Sequence, residues 1–513
     1  MNGAEALVRT LAGSGVDVCF ANPGTTELHL VDALDRIGSI RAVLCLAEGT
    51  VSGAADGYAR MAGRPAAALL HLGPGLANGL ANLHNARRAY TPVVAVVGDH
   101  AVGHQRHDAP LQSDIAALVR VLEGWVRRVE AVGDAGAATA EAVAAALGPP
   151  GRIATLVVPA DVSWSEGATA ASAIPPTPSR AVAGERIEEV AGVLRSPEPA
   201  VLLIGGSATR GEALRAAERV SAATGARLVC ETFPARLERG AGRPVAERLA
   251  YLPEQVSAQL AGTRCLVLAG ARSPVAFFAY QEQPGDLVPD GCAVHELAGP
   301  GADVAAALEA LGTLLDAPRV SPAVKPAAAG TLAGELTLAS LGAALAQSLP
   351  EGAIVSEEAI TAGAPLAAAT EAAAPHDWLS ITGGAIGQGM PVAAGAAIAC
   401  PDRPVISLQA DGSAVYTISA LWTQAREGLD VTTVLLSNRS YAILAMELDR
   451  LGLGDPGRLT RDLLELSRPD LDFVALARGF GVPGERPETV QEFSAAFRRA
   501  LAEPGPHLIE VRL

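Results

Sequence analysis

The feature that most constrains the fold of this chain is a regular alternation of short, uninterrupted apolar runs with longer amphipathic segments. A strand that is buried on both faces has a continuous apolar sequence, whereas a strand with one solvent-exposed face alternates apolar and polar residues. The apolar runs are VDVCFA, AVLCLA, AAALLHL, VVAVVGD, AVLLIGG, ARLVCE, CLVLAGA, IVSEEA, VISLQA, TTVLLSN and HLIEVRL, with helical patterns such as TELHLVDALDRI and VSGAADGYARMAG between them. This alternation predicts an α/β fold with mainly parallel sheets flanked by helices.

Two segments rich in Pro, Ala, Gly and Ser, at 166–185 and 317–335, lack periodic apolar patterning and read as linkers. The chain has 513 residues, which is too many for one hydrophobic core. We therefore expect three consecutive α/β domains, at residues 1–165, 185–316 and 336–513. Ligands of such sheets bind at the carboxyl ends of the strands, so candidate functional residues are sought there.

Charge and cysteine use narrow the functional class. The chain has 39 Lys and Arg against 55 Asp and Glu, a net charge of −16, and no Lys/Arg-rich run, which argues against nucleic-acid and membrane partners. Six scattered cysteines without a CxxC pair favour free thiols in a reducing compartment. No apolar stretch approaches the roughly 20 residues of a membrane helix, and the N-terminal segment lacks an export pattern. We expect a cytoplasmic protein.

A βαβ unit in the third part carries paired oxygen donors. Residues 404–410 and 431–437 read as strands, and a helix near 416–427 joins them. Asp411 ends the first strand and Asn438 ends the second, 27 residues later. A right-handed crossover can place these strands side by side, so that both side chains project from one sheet edge.

Carboxylate and amide oxygens are hard ligands that suit Mg2+, whose coordination is often completed by phosphate oxygens. Gly412 allows the backbone to approach a ligand closely, and the following helix start offers N–H groups to a diphosphate. The alternative is that Asp411 and Gly412 form only a turn that caps a helix. That interpretation would be the better one for an isolated Asp-Gly pair without Asn438.

This segment resembles the diphosphate-binding motif of thiamine-diphosphate enzymes, which is written GDG and, further along the chain, NN. Here it reads ADGS and SNRSY, so the first Gly is Ala410 and the first Asn is Ser437. The resemblance implies that thiamine diphosphate and Mg2+ are the cofactors, and that Asp411, Asn438 and the backbone carbonyl of Ser440 bind the metal. The cofactor-binding set that it implies here is Ala410, Asp411, Gly412, Ser413, Asn438, Ser440, Tyr441 and Ala442.

Glu48 lies between the run AVLCLA and a helical segment. The stretch AEGTVSGAADGYAR is similar to the HExxxxxAAxGYAR pattern of acetolactate synthases and benzoylformate decarboxylases, with Ala47 where many members carry His. The resemblance implies that Glu48 contacts the pyrimidine ring of the cofactor and favours its imino tautomer, and a carboxyl group in a largely apolar pocket suits such proton work. The alternative is that Glu48 only stabilises the helix N-terminus through the helix dipole.

The loop NPGTTE (22–27) follows the first strand and is similar to the loop that lines the substrate pocket in this family. Thr25 or Thr26 could bond a substrate carboxylate through its hydroxyl. A helix cap with Glu27 in the first turn is an equal and compatible interpretation. The same resemblance implies cofactor contacts from Asn22, Pro23 and Gly24.

Histidines follow two other strands. The position of His71 resembles that of the pocket histidine of benzoylformate decarboxylase, where acetolactate synthases carry a small hydroxyl residue. An imidazole can move protons near neutral pH. The alternative is that His71 has a purely structural role. His100, His104 and His107 lie in the segment 98–114 without partners at zinc-like spacing. An active-site loop is therefore preferred to a structural metal site, with one of the three facing the cofactor. His100 is a candidate substrate contact, although acetolactate synthases usually carry Gln there.

The segment GGAIGQGMPVAAG (383–395) resembles the one that supports the bent cofactor in this family. Ile386 would lie between the two rings of the cofactor. Acetolactate synthases usually have Met at this position, and decarboxylases have Ile or Leu. A glycine-rich helix start is the structural interpretation, and it is compatible with the first. The cofactor-binding residues that the resemblance implies here are Ile386, Gly387, Gln388, Gly389 and Met390.

The middle part gives weaker signals. AVLLIGGSATRG begins like a dinucleotide-binding turn but lacks GxGxxG. Anabolic acetolactate synthases bind a flavin in this domain, so FAD is possible but not supported by this sequence. Phe277, Phe278 and Tyr280 stand where benzoylformate decarboxylase carries a second catalytic histidine, which puts two-histidine chemistry in doubt; these aromatic residues could simply be core.

The resemblance spans the whole chain and implies the architecture of pyruvate-decarboxylase-like enzymes, with pyrimidine-binding, central and diphosphate-binding domains. We expect a thiamine-diphosphate-dependent, acetolactate-synthase-like enzyme that decarboxylates a 2-oxo acid and then ligates a second carbonyl or releases an aldehyde. Active sites between subunits of a homodimer or homotetramer are implied as well.

Three alternatives remain open. His71 and Ile386 favour a non-ligating, benzoylformate-decarboxylase-like enzyme. A catalytically degenerate, cofactor-binding homologue is a second alternative, against which stands the retention of Glu48, Asp411 and Asn438. A flavin- or nicotinamide-dependent oxidoreductase is the third, and its fingerprint is not found.

Overall fold

The structure is a computed structural model, and it describes residues 1–281, 283–319, 330, 332–454 and 456–513. Most of the predicted linker 317–335 lies outside the described residues. The described residues form three sheets, of six, five and seven strands, flanked by helices. The predicted fold class, three mainly parallel sheets covered by helices, is confirmed.

The first sheet is entirely parallel, in the order β2-β1-β3-β4-β6-β5. Its middle strands are buried along their whole length, as their continuous apolar sequences predict. The strands are β1 Val18–Asn22, β2 Arg41–Leu44, β3 Ala66–Leu70, β4 Val93–Asp99, β5 Trp125–Arg128 and β6 Ile153–Pro159. The helices are α1 Gly3–Gly13, α2 Leu28–Ile37, α3 Glu48–Ala62, α4 Leu72–Arg88, α5 Ile115–Val119, α6 Ala135–Leu147 and α7 Ala160–Trp164.

The second sheet has the order β10-β8-β7-β11-β12 and is also parallel. The strand β9 belongs to this part of the chain, but it pairs with β14 in the third sheet. The strands are β7 Ala200–Ile204, β8 Arg227–Cys230, β9 Leu237–Arg239, β10 Glu247–Arg248, β11 Cys265–Ala269 and β12 Ala293–Ala298. The helices are α8 Gly184–Leu194, α9 Gly211–Thr224, α10 Pro253–Leu260 and α11 Val304–Leu314.

The third sheet has the order β17-β18-β16-β15-β13-β14-β9 and is parallel except for β9. The strands that this part of the chain contributes are β13 Ile354–Glu358, β14 His376–Leu379, β15 Val405–Ala410, β16 Val431–Ser437, β17 Gly484–Glu485 and β18 His507–Arg512. The helices are α12 Leu338–Ser348, α13 Gly363–Ala369, α14 Gly389–Ala399, α15 Asp411–Ala414, α16 Ala420–Glu427, α17 Ala442–Arg450, α18 Arg458–Leu464, α19 Phe473–Gly479 and α20 Val490–Ala502.

The first and third sheets are joined through two buried helices, α3 and α14. Both helices are rich in Gly and Ala, and their backbones approach closely: a Cβ atom at Gly57 or Gly395 would overlap the backbone of the other helix. Buried side chains of both helices share one apolar cluster with β1, β3 and β4. This packing fixes the start of α3 relative to the start of α14, and both starts carry candidate site residues.

No helix in the described ranges is both long and apolar enough to cross a lipid bilayer. All six cysteines are free thiols, and Cys19, Cys45, Cys230 and Cys265 are buried. Burial raises the pKa of Cys19, Cys45 and Cys230 to about 12, so these thiols stay protonated and pack as small apolar groups.

Candidate functional site

The carboxyl ends of β1 and β3 lie side by side in the first sheet, with Asn22 opposite Leu70. The loop after Asn22 and the residue after Leu70 therefore meet, although they are far apart in sequence. Asn22 Nδ2 donates to the carbonyl oxygen of Cys45 at 2.8 Å, which ties this edge to the chain just before α3. The edge thus gathers the NPGTTE loop, His71 and the start of α3.

A carboxylate–imidazole pair forms at this edge. Glu27 is fully buried, and its Oε2 lies 2.7 Å from His71 Nδ1 and accepts the Gly24 N–H at 2.8 Å. Its Oε1 accepts the Thr26 hydroxyl. The His71 side chain is 23% exposed, and its ring rests against Gly24, where a Cβ atom would overlap it. Because Glu27 engages Nδ1, His71 presents Nε2 as the ring nitrogen left for a ligand.

The two threonines of the loop differ. Thr26 donates to Glu27 and lies 3.4 Å from His71 Nδ1, so its hydroxyl belongs to the carboxylate–imidazole pair. Thr25 is exposed, and within the described chain its hydroxyl forms no hydrogen bond. Of the two candidates, Thr25 therefore retains a free hydroxyl for a substrate. Both interpretations of NPGTTE coexist, since Thr25–Glu27 is also a turn of 3-10 helix.

Glu48 is the first residue of α3 and is partly buried. Asn78 Nδ2 on α4 donates to its Oε2 at 3.1 Å. Both Glu48 and His71 approach Gly75: a Cβ atom at Gly75 would lie 3.0 Å from Glu48 Oε1 and 3.3 Å from His71 Cβ. The fold therefore brings the two candidate catalytic side chains together beside Gly75.

Among the described residues, no hydrogen bond joins the three histidine side chains of segment 98–114 to Glu27, Glu48 or His71, although Gly98 at the start of this segment lies against Glu27. The His100 backbone N–H donates to Asp99 Oδ1 at 2.7 Å, and its buried Nε2 has no hydrogen-bond partner among the described residues. The ring of His104 lies between those of His100 and His107, tilted by 49° and 51° against them, with centroid distances of 5.4 and 5.5 Å. In the described ranges, no three His, Cys, Asp or Glu side chains are placed to hold a metal. A structural metal site in this loop finds no support.

Asp411 and Asn438 follow adjacent parallel strands of the third sheet, since β15 pairs with β16 up to Ala410 and Leu436. Asp411 is 3% exposed, and its Oδ2 accepts the Arg439 N–H at 2.6 Å and the Ser437 hydroxyl at 3.4 Å. Burial raises the pKa of Asp411 above its ordinary value. The Asp411 carboxylate thus binds the residues on both sides of Asn438.

The turn after β16 is held in a defined shape. Arg439 adopts the left-handed backbone conformation (φ +56°), and the Ser440 N–H donates to Asn438 Oδ1 at 3.0 Å. The Asp411 carboxylate and the Asn438 amide oxygen are hard oxygen donors of the kind that divalent cations prefer. Gly412 lies under the ring of Tyr441, and a Cβ atom there would come within 2.7 Å of Tyr441 Cε1. The missing side chain at Gly412 therefore makes room for the Tyr441 ring.

Other residues of the predicted cofactor set have internal roles. Ser413 is buried, and its hydroxyl accepts from Gln409 Nε2 at 2.6 Å and donates to the Ala410 carbonyl at 3.1 Å. Ala410 caps α15, while Tyr441 and Ala442 begin α17. These residues shape the edge, and the side-chain oxygen donors come from Asp411 and Asn438.

The segment before α14 is held by a buried carboxylate. Glu358, at the end of β13, accepts the N–H groups of Gly387 and Gly389, each at 2.6 Å, and its pKa is raised by burial. Gln388 donates to Asp56 Oδ2 at 3.1 Å, and Met390 is fully buried. The side chains of Gln388 and Met390 are therefore engaged inside the protein.

Ile386 is only partly buried and borders a cavity of about 700 Å3 between the second and third parts of the chain. Its walls are mainly apolar and include Phe277, Phe278 and Leu444, which are 43%, 54% and 47% exposed. Phe277 packs edge-on against Phe278 with centroids 5.0 Å apart. The suggestion that these aromatic residues are core is wrong, because they form a cavity wall.

A second cavity, of about 380 Å3, lies at the carboxyl edge of the central sheet. Its lining includes Arg272, Tyr90 and Glu231. Glu231 Oε1 accepts the Gly206 N–H at 3.0 Å, and burial raises the pKa of Glu231 to about 7. The glycine turn that begins like a dinucleotide-binding loop therefore already binds a carboxylate of the protein.

Sequence reasoning missed Glu27 as the partner of His71, Glu358 as the support of the Gly387 segment, and Asn78 as the donor to Glu48. Glu27 was visible only as a helix-cap residue, because its partner is 44 residues away in sequence. No local signal marks Glu358, whose role depends on the pairing of β13 with β15.

Comparison with known proteins agrees with this geometry. Residues 1–118 match the family model "Thiamine pyrophosphate enzyme, N-terminal TPP binding domain", and residues 362–511 match its C-terminal TPP binding domain. A Mycobacterium tuberculosis protein provisionally named an acetolactate synthase large subunit is 58% identical, covering 100% of this chain and 99% of that protein. Benzoylformate decarboxylase of Pseudomonas aeruginosa is 30% identical over 99% of this chain and 98% of its own length.

Among solved structures, the thiamine diphosphate-dependent 4-hydroxybenzoylformate decarboxylase of Rhodococcus jostii has a TM-score of 0.86 and 27% identity, covering 100% of this chain and 99% of that one. The chain belongs to the thiamine pyrophosphate enzyme family. It is a thiamine-diphosphate-dependent enzyme, acetolactate-synthase-like in sequence, with benzoylformate decarboxylases among its relatives. The predicted family and class of enzyme are confirmed.

Proposed function

We propose that this enzyme decarboxylates a small 2-oxo acid and passes the product to a second carbonyl, as an acetolactate-synthase-like carboligase. The observation that carries the proposal is the 58% identity over the whole chain to a protein provisionally named as an acetolactate synthase large subunit. Glu48 and His71, whose side chains both approach Gly75 at the edge of the first sheet, are the candidate proton-transfer groups. Thiamine diphosphate supplies the electron sink for loss of CO2 when it is bound. The chain's own residues position it and handle protons.

We assign Mg2+ to the edge of the third sheet. Asp411, Asn438 and the carbonyl of Ser440 are the protein ligands in this proposal, and the diphosphate would complete the coordination. The support is that Asp411 and Asn438 end neighbouring parallel strands and that Asp411 already orders the Asn438 turn through Arg439. Neutralising the buried Asp411 carboxylate with a cation removes the cost of burying its charge.

Glu48 is proposed to hold a proton at the aminopyrimidine end of the cofactor, with Asn78 fixing the carboxylate. His71 is proposed to move a proton at the reacting carbon through Nε2, because Glu27 engages Nδ1. Thr25 offers a free hydroxyl to the substrate carboxylate. His100 remains a candidate without such support, since its ring packs at a tilt against His104 and no hydrogen bond among the described residues joins it to Glu48 or His71.

We further propose that two copies of the chain complete each site, in a homodimer or homotetramer. Ile386 borders the large cavity, whereas neither Glu48 nor His71 lines it. No hydrogen bond between described residues joins Glu48 to Asp411. A second copy that brings its first sheet to this cavity would unite both sets of residues. Size-exclusion chromatography with light scattering tests this, and a catalytically active monomer would contradict it.

A benzoylformate-decarboxylase-like activity is the second candidate, and the cavity favours it. About 700 Å3 with mainly apolar walls is far more space than the methyl group of pyruvate needs, and it suits a bulky or aromatic side chain. The wall residues Phe277 and Phe278 offer edge-to-face contacts to an aromatic ring. In this candidate His71 protonates the decarboxylated product, and an aldehyde is released.

One experiment separates the two candidates. The purified enzyme with thiamine diphosphate and Mg2+ is given pyruvate or benzoylformate, and CO2, acetolactate and benzaldehyde are measured. Acetolactate from pyruvate supports the carboligase, and benzaldehyde from benzoylformate supports the decarboxylase. CO2 release from neither substrate contradicts both substrate assignments.

We propose that no flavin is needed. Gly206 N–H, the donor expected to face a dinucleotide phosphate, is bonded to Glu231 instead. An absorption spectrum without a flavin band in the active, purified enzyme is the expected result. A cytoplasmic location is proposed as well, and the six free thiols favour it.

A further inference from the structure

The smaller cavity, of about 380 Å3, has no part in the proposed chemistry. It lies where the end of α4 meets the carboxyl edge of the central sheet, and neither Glu48, His71, Asp411 nor Asn438 lines it. Small-molecule sites in proteins usually enclose about 300 to 1,000 Å3, so this cavity is large enough for a ligand of its own.

Arginine residues dominate the charge of this cavity. Four guanidinium groups line it, together with only two carboxyl groups. Arg87 is neutralised by an ion pair with Glu123, whereas Arg88 and Arg152 form no hydrogen bond or ion pair within the described residues. This concentration of unpaired positive charge occurs in a chain whose net charge is −16.

The fourth guanidinium group, of Arg272, is held in place but not neutralised. Its Nε donates to the Tyr90 hydroxyl at 2.8 Å, and its Cζ lies 5.5 Å from the centroid of the Tyr90 ring. The second carboxyl group of the cavity, Glu231, is bonded to the Gly206 N–H, and burial raises its pKa to about 7. At neutral pH, Glu231 therefore opposes the three unpaired arginines with only part of one negative charge.

Another part of the cavity wall is apolar. Two aromatic rings, of Phe233 and Tyr251, pack at a tilt with centroids 6.2 Å apart. The aliphatic residues of this part belong to one buried cluster and are Leu203, Leu249, Val256 and Leu287. A ligand that contacts both parts of the wall has a negatively charged group on an apolar body.

The position of the arginines is not explained by helix stability alone. Arg87 and Arg88 end α4, where positive charge favours the helix dipole. Arg152 and Arg272 belong to two other segments, before β6 and after β11, and the dipole of α4 gives no reason for their approach to the same cavity.

The chemistry of the donors favours a carboxylate over a nucleotide diphosphate. Nucleotide phosphates are commonly bound by backbone N–H groups of a glycine turn, and here the Gly206 N–H is occupied by Glu231. The donors left for a ligand are guanidinium side chains, whose planar N–H groups match the two oxygens of a carboxylate.

We propose that the smaller cavity is a binding site for a small organic carboxylate, separate from the catalytic edges. The carboxylate contacts Arg88, Arg152 and Arg272, and the apolar body lies against the aliphatic part of the wall. This inference does not depend on the proposed function, because none of these arginines is assigned to the cofactor or to the substrate.

The test measures binding by titration calorimetry to the full-length protein with saturating thiamine diphosphate and Mg2+. Benzoate is the probe. Benzamide is its neutral counterpart of nearly the same shape, and inorganic phosphate is an anion without an apolar body. Each probe is titrated at low and at high ionic strength.

Two variants and one control locate the binding. Arg88→Gln/Arg152→Gln removes two unpaired charges, and its control Arg9→Gln/Arg264→Gln removes two exposed charges outside the cavity. Ser273→Trp fills the cavity and leaves all four arginines unchanged, because Ser273 lines the smaller cavity and not the larger one. If this variant fails to fold, Ser273→Leu replaces it.

We expect benzoate to bind at least about tenfold more tightly than benzamide or phosphate, with an affinity that falls as ionic strength rises. Arg88→Gln/Arg152→Gln should weaken benzoate binding by about tenfold, since an exposed ion pair contributes up to about fivefold. The control should stay within about twofold of wild type, and Ser273→Trp should abolish binding.

The inference is overturned if benzoate does not bind, if benzamide or phosphate binds as tightly, or if either cavity variant binds benzoate like the control. Failure of the proposed function looks different. In that case neither pyruvate nor benzoylformate would release CO2, while the titrations of benzoate would still decide whether the smaller cavity binds a carboxylate.

Discussion

The carboxyl edges of the first and third sheets carry out different tasks with similar architecture. At the first edge, side chains bond side chains: Glu27 with His71, and Asn78 with Glu48. At the third edge, the Asp411 carboxylate is bonded mainly by backbone N–H groups. Partly exposed imidazole and carboxyl groups suit proton transfer, whereas a buried carboxylate ordered by the backbone suits a fixed cation.

This difference shows that the hydrogen-bond partners of a buried carboxylate determine which task the edge of a parallel sheet can perform. Glu27 orients a ring and Asp411 orders a turn, although both are buried residues next to strand ends. If the two edges have these separate tasks, then substitutions at the first edge should affect turnover, and substitutions at the third should affect cofactor and metal binding.

The largest effect is expected for Glu48→Gln at the first edge. Losing a proton-transfer group should lower kcat by about 100- to 10,000-fold while thiamine diphosphate still binds, because the amide keeps the size and the contact with Asn78. Steady-state kinetics and cofactor titration check this together. Unchanged turnover would remove Glu48 from the mechanism and weaken the comparison.

The next effect is expected for Asp411→Asn at the third edge. The affinity for Mg2+ with thiamine diphosphate should fall by at least about 100-fold, since even outer partners of metal ligands contribute 10- to 100-fold. Titration calorimetry measures it, with the exposed Asp402→Asn as the matched control. In the wild-type protein, Mg2+ affinity should fall as pH falls, because burial raises the pKa of Asp411 and the protonated carboxyl does not bind metal.

A moderate effect is expected for Glu27→Gln. The variant keeps the volume but loses the carboxylate that fixes His71, and kcat should fall by about 10- to 100-fold, below the full contribution of a proton-transfer group. Cofactor affinity should stay within about twofold of wild type, and the exposed Glu130→Gln serves as control. A loss of cofactor affinity without loss of turnover would reverse the assignment of the two edges.

The smallest effect concerns stability and the central sheet. Burial raises the pKa of Glu231 from 4.5 to about 7, so its protonated form stabilises the fold fully below about pH 4.5, and this contribution is lost as pH rises through about 7. Glu231→Gln should therefore gain stability over wild type between pH 5 and 8, by at most about 3 kcal/mol.

Urea denaturation at several pH values measures this difference, with the exposed Glu198→Gln as control. A stability difference between Glu231→Gln and wild type that does not change between pH 5 and 8 would show that the Glu231 carboxyl does not titrate over this range in the folded protein. The central edge would then share with the third edge only a carboxylate bonded to a backbone N–H.

Much of this protein is determined by its sequence through short-range patterns. The apolar runs gave strands β1, β3, β4, β15 and β16, and the strand predicted at 431–437 is β16. Gly428 ends α16 in the left-handed conformation (φ +61°), as a glycine at that position predicts. The adjacency of Asp411 and Asn438 follows from the handedness of one βαβ unit, which is a local rule.

Only the tertiary structure decided the contacts made across the fold. Four features join segments that no local pattern relates: the Glu27–His71 pair, the pairing of β9 with β14 in the third sheet, the cavity beside Ile386, and the hydrogen bond from Asn82 to the Gly387 carbonyl. The physical reason is that strand and helix signals depend on neighbours along the chain. A hydrogen bond or a cavity wall depends instead on how sheets and helices from remote segments pack together.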